Sequence, residues 1–493
     1  MKLGWLLWAL LGVPALAAGL CLLLGSARKV LAVVAVVGAL WALLVFATAW
    51  IALASGPLAV AENWFRLDAL SAYHVAVLAL IFGSSSVFSW GYFGSEMAAG
   101  KFNRGEARKF GVCWFGAAGA MTLVLLSNNL GLMWVGIEAT TLVTAFLICI
   151  HVTAFSLEAT WKYLMVCSVG VAFAFVGTLL VSISAQNAGL IPTEMLLWTR
   201  LHESAALLAP STMKIAFIFI LVGFGTKVGL VPMHSWLPDA HSQAPAPVSA
   251  LFSGFMLNAA LYCIMRHLSL VEGVAGGAGW GRGLLEVFGI VSILVAAAFI
   301  VFQHDGKRLL AYHSVEHMGI ISLGLGLGGV GIFAALWHVL NHAVCKALAF
   351  FSIGRLGQMY GSHDLSRMAG ALRRSPVWGT GFFGGILALI GVAPFAIFMS
   401  EFLILRAAVH EKAFLALALF LLGAGIVFVG ALRHAIVPAW GDPVAEPKQE
   451  RAGIAGAVLI FGGLGMLLVL GLWMPEAFRK TLEAAARVVG GTP

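Results

Sequence analysis

Ionisable residues interrupt four otherwise apolar stretches of this sequence. Three of the stretches hold one such residue each: Glu138, Lys227 and Glu401. The fourth holds three residues spaced four apart, which places them on one face of a helix: His338, His342 and Lys346. If these stretches cross a membrane, each charge near the bilayer centre costs at least about 2.5–3.5 kcal/mol and calls for a function. The alternative is that the charges merely fix how helices pack.

The types of these residues suit proton transfer. Burial favours the neutral form of lysine or glutamate, whereas an oppositely charged neighbour favours the charged form. Moving Glu138 relative to Lys227, or admitting water, would therefore switch the lysine. Histidine titrates near neutral pH and suits intermediate steps. A sodium site would need clustered carboxylates and carbonyls. Three other acidic residues lie at or near predicted loops, which favours protons: Asp68, Asp239 and Asp305.

The composition of the chain requires these stretches to lie in lipid. Of its 493 residues only 10% are charged, against about 25% in soluble proteins. Hydrophobic residues make up 61%, and the mean hydropathy is +0.99. No soluble protein of this size could bury so much apolar surface, which excludes a soluble enzyme, a nucleic-acid-binding protein and a disordered tail. The net charge of +8 comes from basic residues spread thinly over short loops.

We predict an all-α polytopic membrane protein with about fourteen transmembrane helices, because about twenty apolar residues cross a bilayer as a helix. The stretches are too long and too uniformly apolar for a β-barrel. We expect Arg479 to Val489 to form an amphipathic surface turn or two. The predicted spans are 4–24, 30–53, 67–90, 112–128, 131–150, 162–184, 211–231, 247–268, 283–302, 314–328, 331–354, 377–407, 413–432 and 454–474.

The distribution of Lys and Arg over the loops predicts that both termini lie outside. In this orientation the inside loops hold the larger share of basic residues, as the positive-inside rule requires. They include Lys101, Arg308, Arg374, Lys448 and Arg451. We expect the first span to be a retained helix rather than a secretory signal, because no cleavage site is obvious.

Two of the spans contain residues that typically break a helix. Gly225, Gly229 and Pro232 lie near Lys227, and the apolar run that holds Glu401 is longer than one crossing requires. Broken helices in two halves of a chain are typical of a transport site, because their exposed backbone groups need a wet cavity.

The spacing of the ionisable residues predicts a repeat. Lys227 and Glu401 are 174 residues apart, and Glu138 and His317 are 179 apart, so each pair would lie in corresponding helices. We therefore divide the chain into N-terminal helices at 1–111, a five-span unit at 112–268, a second at 283–432, and a last helix with a short tail at 454–493.

The cysteine residues give no sign of a redox centre. Iron–sulfur and zinc sites need closely spaced thiolates, and no two of the six cysteines are closer than eighteen positions. We expect the chain to bind no cofactor and no metal, and each cysteine to serve as a small buried residue.

Several motifs resemble those of the antiporter-like proton-pumping subunits of complex I: GTKVGLVPMHSWLPDAHSQAPAPVSALFSG (225–254), KRLLAYHSVEHMG (307–319) and NHAVCKALAFF (341–351). Two further segments look most like component F of hydrogenase-4, the formate-hydrogenlyase type: SNNLGLMWVGIEATTL (127–142) and SLEATWKYLMVCSVGVAF (156–173). The resemblance covers about residues 60–435. It implies a fourteen-helix fold with two inverted five-helix repeats, and membership of a larger membrane complex.

The resemblance also implies roles for individual residues. Glu138 matches the family's fifth-helix glutamate and Lys227 its seventh-helix lysine, the pair that gates proton transfer. Glu401 matches the end of the second half-channel, and His317 matches a histidine common after the tenth-helix motif. The eleventh-helix part of the polar axis matches His338, His342 and Lys346.

The sequence departs from the family on the eighth helix. Where the related subunits usually carry a lysine or histidine, this chain has Ser253 and Asn258. We expect ordered water to fill the gap between Lys227 and the eleventh-helix histidines, with Ser253 and Asn258 as hydrogen-bonding supports. The alternative is that the two halves are not linked.

Three more histidines lie outside this set of matched residues. His313 stands where the family commonly has serine, and we expect it to face the surface. His234 and His241 lie in the polar turn after the seventh helix. For these two, helix capping or loop packing competes with a role in proton entry from the inside.

Three functions compete on these observations. The first is a proton-translocating subunit of a redox-driven complex in the bacterial cytoplasmic membrane. Its partners would be other membrane subunits and a peripheral redox module, which would hold iron–sulfur centres and, in a hydrogenase, nickel–iron centres; no nucleic acid is involved. The second is a subunit of a cation/proton antiporter or an inorganic-carbon uptake complex without redox chemistry. The third is a structural membrane subunit that has lost pumping.

Overall fold

A computed structural model describes residues 3–442 and 452–490 of the chain. Lys448 and Arg451, which the charge distribution assigns to an inside loop, lie outside the described residues, as do the last three residues of the predicted tail. All six cysteines are free thiols, and five of them are buried.

Within residues 3–442 and 452–490 the fold is almost entirely helical, with one short antiparallel hairpin of β1 (Leu58–Val60) and β2 (Phe65–Leu67). The helices are α1 (Trp5–Leu23), α2 (Ala27–Ser55), α3 (Ala69–Ala98), α4 (Arg104–Leu126), α5 (Leu130–Ile148), α6 (Ala154–Asn187), α7 (Trp198–Glu203), α8 (Pro210–Val228), α9 (Trp236–Gln243), α10 (Ala246–Leu251), α11 (Leu257–Gly273), α12 (Trp280–Ile300), α13 (Gly306–Leu327), α14 (Gly329–Tyr360), α15 (Ala371–Arg374), α16 (Pro376–Leu389), α17 (Ala396–His410), α18 (Phe414–Trp440), α19 (Ile454–Leu472) and α20 (Glu476–Val489).

The predicted polytopic membrane fold is confirmed. Within the described ranges, 12 helices are long and apolar enough to cross a bilayer, one of them being the continuous stretch Ala246–Gly273. Two further crossings come from α13, which is more polar, and from the pair α16 and α17, which share one span. Together they account for the fourteen predicted from the apolar runs.

Helix ends differ from the predicted spans where polar residues extend a helix beyond its apolar part. The predicted span 162–184 is the middle of α6, whose N-terminus is capped by Thr153 and Ser156. The predicted span 314–328 covers only the later part of α13, which begins at Gly306 and is capped at its N-terminus by Asp305. The tail forms one 14-residue helix, α20, rather than the predicted turn or two.

In each five-helix unit, one break divides the fourth transmembrane helix into two shorter helices. In the first unit α8 ends at Gly229, whose φ of +83° suits glycine, and α9 begins seven residues later. In the second unit α16 is followed by Gly391, with a φ of +69°, and α17 begins at Ala396. Lys227 lies just before the first break, whereas Glu401 lies after the second. The two residues therefore occupy corresponding broken helices but opposite sides of the break.

The two ends of the bundle are distinct. One end, which we call the hairpin face, carries the β1–β2 hairpin, α7 and α20. Asn63 of the hairpin donates to Thr199 of α7 (3.1 Å), and α20 buries Leu482, Ala485 and Ala486. The opposite end, the loop face, carries the segments around 99–103, 149–153 and 361–370. Helices α11 and α14 are buried along most of their length, so the polar residues they carry are enclosed by protein rather than lipid.

Candidate functional site

Lys227 is fully buried at the C-terminal end of α8 and reaches across to α5 and α6. Its Nζ donates to Thr141 Oγ1 (3.0 Å) and to the Tyr163 hydroxyl, and it lies 4.5 Å from the centre of the Tyr163 ring. Tyr163 also bonds Thr144 Oγ1 at 2.5 Å. The lysine is therefore surrounded by hydroxyl groups, which can accept its hydrogen bonds in either protonation state.

Glu138 and Lys227 do not form an ion pair, although both face the interior between α5, α6 and α8. Glu138 accepts a hydrogen bond from Ser168 (3.2 Å), and its other carboxylate oxygen has no partner among the described residues. Thr141, one turn along α5 from Glu138, holds the lysine instead. The expected gating pair is thus present as two separately bonded groups.

The second half of the chain holds its lysine in a different way. Lys346 is fully buried on α14 and donates to the backbone carbonyl of Leu310 on α13. Ser314, one turn further along α13, donates to the same carbonyl (3.2 Å). Ser253 lies 2.7 Å from Ser314 between hydroxyl oxygens. A hydrogen-bonded bridge therefore connects the segment between α10 and α11 to Lys346.

Ser253 reaches α13 because residues Phe252–Met256 form a π-helical turn between α10 and α11. Such turns widen a helix locally and are frequent at functional sites. Asn258 follows within α11; its amide nitrogen donates to the Gly254 carbonyl (3.0 Å), and its buried carbonyl oxygen has no partner among the described residues. The structure thus brings Ser253 into the link between the two halves and leaves Asn258 beside it.

Three helices of the second unit meet at a pair of histidines. His317 Nδ1 on α13 lies 2.8 Å from His338 Nε2 on α14. His338 Nδ1 lies 2.9 Å from Ser400 Oγ on α17, next to Glu401. Glu401 lies close by, since its carboxylate and the two histidines have nitrogen and oxygen atoms within 4.8 Å of one another. The predicted residues of this half therefore converge.

His342 and His241 lie at the boundary between the two halves. The His342 ring centre is 5.1 Å from that of His317, and neither nitrogen of His342 has a partner among the described residues. His241 is fully buried and stacks on Phe350 at 5.2 Å, with both nitrogens likewise unpartnered. His241 is thus neither a helix cap nor an entry group at the surface. His234 is partly buried near Phe299 and Tyr312 and lies apart from this group.

The expectation that His313 faces the surface is wrong. His313 is fully buried, and its Nδ1 lies 2.8 Å from Oε2 of Glu316, which is itself 3% exposed. The reason is that α13 is buried on every side from Leu309 to Leu327, so the part of the helix that carries His313 has no face towards lipid or water. Sequence reasoning also missed Glu316, whose position next to His317 was the available signal.

Among the residues that the structure describes, two triplets place nitrogen and oxygen atoms within 4.8 Å of one another: His313 with Glu316 and His317, and His317 with His338 and Glu401. In each triplet a hydrogen bond joins two members, His313 to Glu316 and His317 to His338. These bonds account for the closeness, and we assign no metal site there.

The comparisons with known proteins agree with this architecture. Residues 127–427 match the family described as NADH:quinone oxidoreductase/Mrp antiporter, transmembrane. The chain is 38% identical over 415 residues to the hydrogenase-4 component F homolog of Methylacidiphilum infernorum (isolate V4), covering 84% of this chain and 86% of that one.

Two solved structures share the fold over 99% of this chain. A chain of the membrane-bound sulfane sulfur reductase, an archaeal respiratory membrane complex, has a TM-score of 0.87 at 23% identity and is covered to 98%. A chain of the Mrp complex from Dietzia sp. DQ12-45-1b has a TM-score of 0.85 at 21% identity and is covered to 97%. Both neighbours are subunits of multisubunit complexes.

The chain therefore belongs to the NADH:quinone oxidoreductase/Mrp antiporter family of integral membrane proteins. Within it, the chain is an antiporter-like subunit of the hydrogenase-4 and complex I type.

Proposed function

We propose that this chain translocates protons across the bacterial cytoplasmic membrane as one subunit of a redox-driven complex of the hydrogenase-4 or NADH:quinone oxidoreductase type. Electrons would stay in a peripheral module, whose iron–sulfur centres, joined by nickel–iron centres in a hydrogenase, would belong to partner subunits. Both termini of this chain would lie outside. The chain itself would bind no cofactor and would respond to redox chemistry through the membrane subunits beside it.

The observation that carries the proposal is the hydrogen-bonded bridge from Ser253 through Ser314 and Leu310 to Lys346. It connects the half of the chain that holds Lys227 to the half that holds the histidines. If the two halves moved protons independently, no hydrogen-bonded connection between them would be required. Polar groups enclosed at this depth cost free energy. A shared path for protons is a function that offsets this cost for every group along it.

The proton route begins in the first half, between Glu138 and Lys227. When Glu138 approaches Lys227 the ammonium form is favoured, and when it withdraws the lysine can release its proton. Tyr163 and Thr141 accept the hydrogen bonds of Lys227 during this change. Water between Tyr163 and Ser253 would carry the proton towards the second half.

The route ends in the second half, at Glu401. Lys346 takes the proton beside the Ser253–Ser314 bridge, His342 and His317 receive it, and His338 passes it to the region of Glu401. A neutral imidazole is both donor and acceptor, so each histidine can accept a proton on one nitrogen and release one from the other. Only O–H and N–H bonds form and break along the path.

The test is proton uptake by vesicles that contain the whole assembled complex. We expect Lys227→Ala to lower uptake at least about tenfold while the partner subunits assemble and transfer electrons. Lys214→Ala is the matched control, because Lys214 lies on the same helix but near its hairpin-face end, beside Trp280. Normal uptake in the Lys227 variant would overturn the proposal for this residue.

The second candidate is a cation/proton antiporter subunit without electron transfer, and the fold shared with a chain of the Mrp complex favours it. Neighbouring genes distinguish the two candidates. Genes for hydrogenase or iron–sulfur subunits support the redox-driven complex, whereas genes for small membrane proteins alone support the antiporter, and a zinc-binding soluble partner supports the uptake complex.

A further inference from the structure

A second buried polar group lies outside the predicted relay and reaches the hairpin face. Its core is an ion pair between Asp68, the cap of α3, and Arg266 on α11, with two hydrogen bonds of 2.7 Å. Both residues are buried, at 7% and 4% exposure. Burial alone would raise the pKa of the Asp68 carboxyl, but the Arg266 guanidinium holds that pKa below its ordinary value.

This ion pair is the end of a polar stripe along one face of α11. Asn258, Tyr262 and Arg266 follow at intervals of four residues and span about 12 Å of helix. Arg266 Nε donates to the Tyr262 hydroxyl (2.9 Å), and that hydroxyl donates to the Leu125 carbonyl (3.1 Å). The stripe therefore runs from the depth of the π-helical turn to the hairpin face.

The turn just before the stripe contacts a partner of the first lysine. Met256, two residues before Asn258, has its sulfur 3.9 Å from the Tyr163 hydroxyl, which bonds Lys227. Two polar directions thus leave this region of the protein. One follows Ser253 into the second half, and the other follows Asn258 along α11.

Buried polar atoms without hydrogen-bond partners lie along the stripe. An ion pair with a purely structural role does not require such atoms beside it. Asn258 Oδ1 and His74 Nε2 are both buried and have no hydrogen-bond partner among the described residues. The His74 ring lies 5.2 Å from that of Tyr262. Buried polar atoms are almost always paired with protein or with water, so two of them beside one stripe indicate a site for water.

We infer that this stripe is a second proton route, from the neighbourhood of Lys227 to the hairpin face, and that the Asp68–Arg266 ion pair is its gate. The inference rests on the proposed function, since it assigns an exit to the same pump. With the pair closed, Asp68 is held as a carboxylate. When Arg266 moves away, Asp68 takes a proton from water in the stripe and later gives it to water at the hairpin face.

The gate has a defined cover. Arg266 lies 4.4 Å from the ring centre of Trp198 on α7, and the Trp198 indole nitrogen donates to the Arg266 carbonyl (2.8 Å). The α7 segment is in turn tied to the hairpin through Asn63 and Thr199. Movement of α7 would therefore uncover the ion pair on the side that faces water.

The first test uses a variant that keeps the volume of the stripe. Tyr262→Phe removes one hydroxyl, and we expect proton uptake per electron pair by the reconstituted complex to fall about 2–10-fold, the size of one lost hydrogen bond. Tyr312→Phe is the matched control, because Tyr312 is also a buried tyrosine but lies beside Phe299 and away from the stripe.

The second test addresses the gate in resting vesicles without electron transfer. Arg266→Gln should let protons leak across the membrane. Arg282→Gln is the control and should not cause a leak, because it breaks a different ion pair near the hairpin face, between Arg282 of α12 and Glu272 at the end of α11. If Arg266→Gln fails to assemble, the double variant Asp68→Leu with Arg266→Met keeps an apolar filling in place of the pair. That variant should assemble, pump less and not leak.

The results separate this inference from the proposed function. Wild-type uptake by Tyr262→Phe and by the double variant, together with lost uptake by Lys227→Ala, would overturn the second route alone. Wild-type uptake by Lys227→Ala would instead overturn the proposed role of Lys227, on which both routes depend.

Discussion

His317 Nδ1 lies 2.8 Å from His338 Nε2, and His338 Nδ1 lies 2.9 Å from Ser400 Oγ. The Ser400 hydroxyl donates to backbone carbonyls of its own helix, at Ile397 and Ala396, so it accepts from His338. His338 therefore carries its proton on Nδ1 and accepts from His317 on Nε2. A proton that arrives through His317 can only pass if His338 exchanges one tautomer for the other.

This relationship predicts that His338 is indispensable for pumping. We expect His338→Ala to lower proton uptake at least about tenfold, with electron transfer retained, because no other described side chain bonds both His317 and Ser400. His410→Ala is the control, since the His410 side chain is 83% exposed. Equal uptake by the two variants would exclude His338 from the route.

The bridge between the halves predicts an effect at Ser314. Removing its hydroxyl breaks the contact with Ser253, and we expect Ser314→Ala to slow proton uptake by about 2–10-fold, the equivalent of one hydrogen bond. Ser322→Ala is a close control, because Ser322 is a buried serine on the same helix whose hydroxyl has no partner among the described residues. The bridge has no role if the two variants pump alike.

The second helix break predicts an effect of a single methyl group. A Cβ on Gly391 would lie 2.5 Å from Glu401 Oε2, and the φ of +69° disfavours any other residue. We expect Gly391→Ala to displace Glu401 and lower proton uptake. Gly425→Ala adds the same methyl on α18, where nothing lies within 4 Å, and should pump normally. An uptake by Gly391→Ala equal to that of the control would show that the Glu401 position is not critical.

A histidine on the loop face predicts a pH-dependent stability. Hydrogen bonds with Glu96 (2.9 Å) and Glu106 (3.2 Å) raise the pKa of His151, although its partial burial opposes this. The protonated form is therefore bound more tightly in the folded state. Its contribution to stability is complete below the ordinary pKa of histidine, about 6.5, and is lost as the pH rises through the raised value.

We accordingly expect His151→Gln to lower the melting temperature of the purified protein at pH 6, with the difference from wild type shrinking as the pH is raised above the folded pKa. The measurement is a thermal denaturation series in detergent at several pH values, with His410→Gln as the control. A difference that stays constant with pH would show that the charge of His151 contributes nothing.

Much of the fold follows from the sequence because lipid imposes strong constraints. Uninterrupted apolar runs such as 454–474 had to be helices, and the glycines near 229 and 391 lie where the helices break. The edges were less predictable, because polar helix ends such as the first turns of α6 carry no apolar signal.

The candidate site was predictable where charge and depth coincide. Lys227, Lys346 and Glu401 stand out because an ionisable residue in an apolar run is rare. Tyr163 gave no such signal, since a tyrosine is common in any helix, yet it is a direct partner of Lys227. The Asp68–Arg266 pair was hidden for another reason. Its members lie 198 residues apart, and each appears near the end of a span.

A structure of the assembled complex in which water molecules are resolved would show whether one proton route joins the two halves of the chain. We expect an unbroken line of water between Tyr163, beside Lys227, and the Ser253–Ser314 bridge, with neighbouring oxygens within hydrogen-bonding distance. A dry, apolar gap between Tyr163 and Ser253 in every state of the turnover cycle would contradict it.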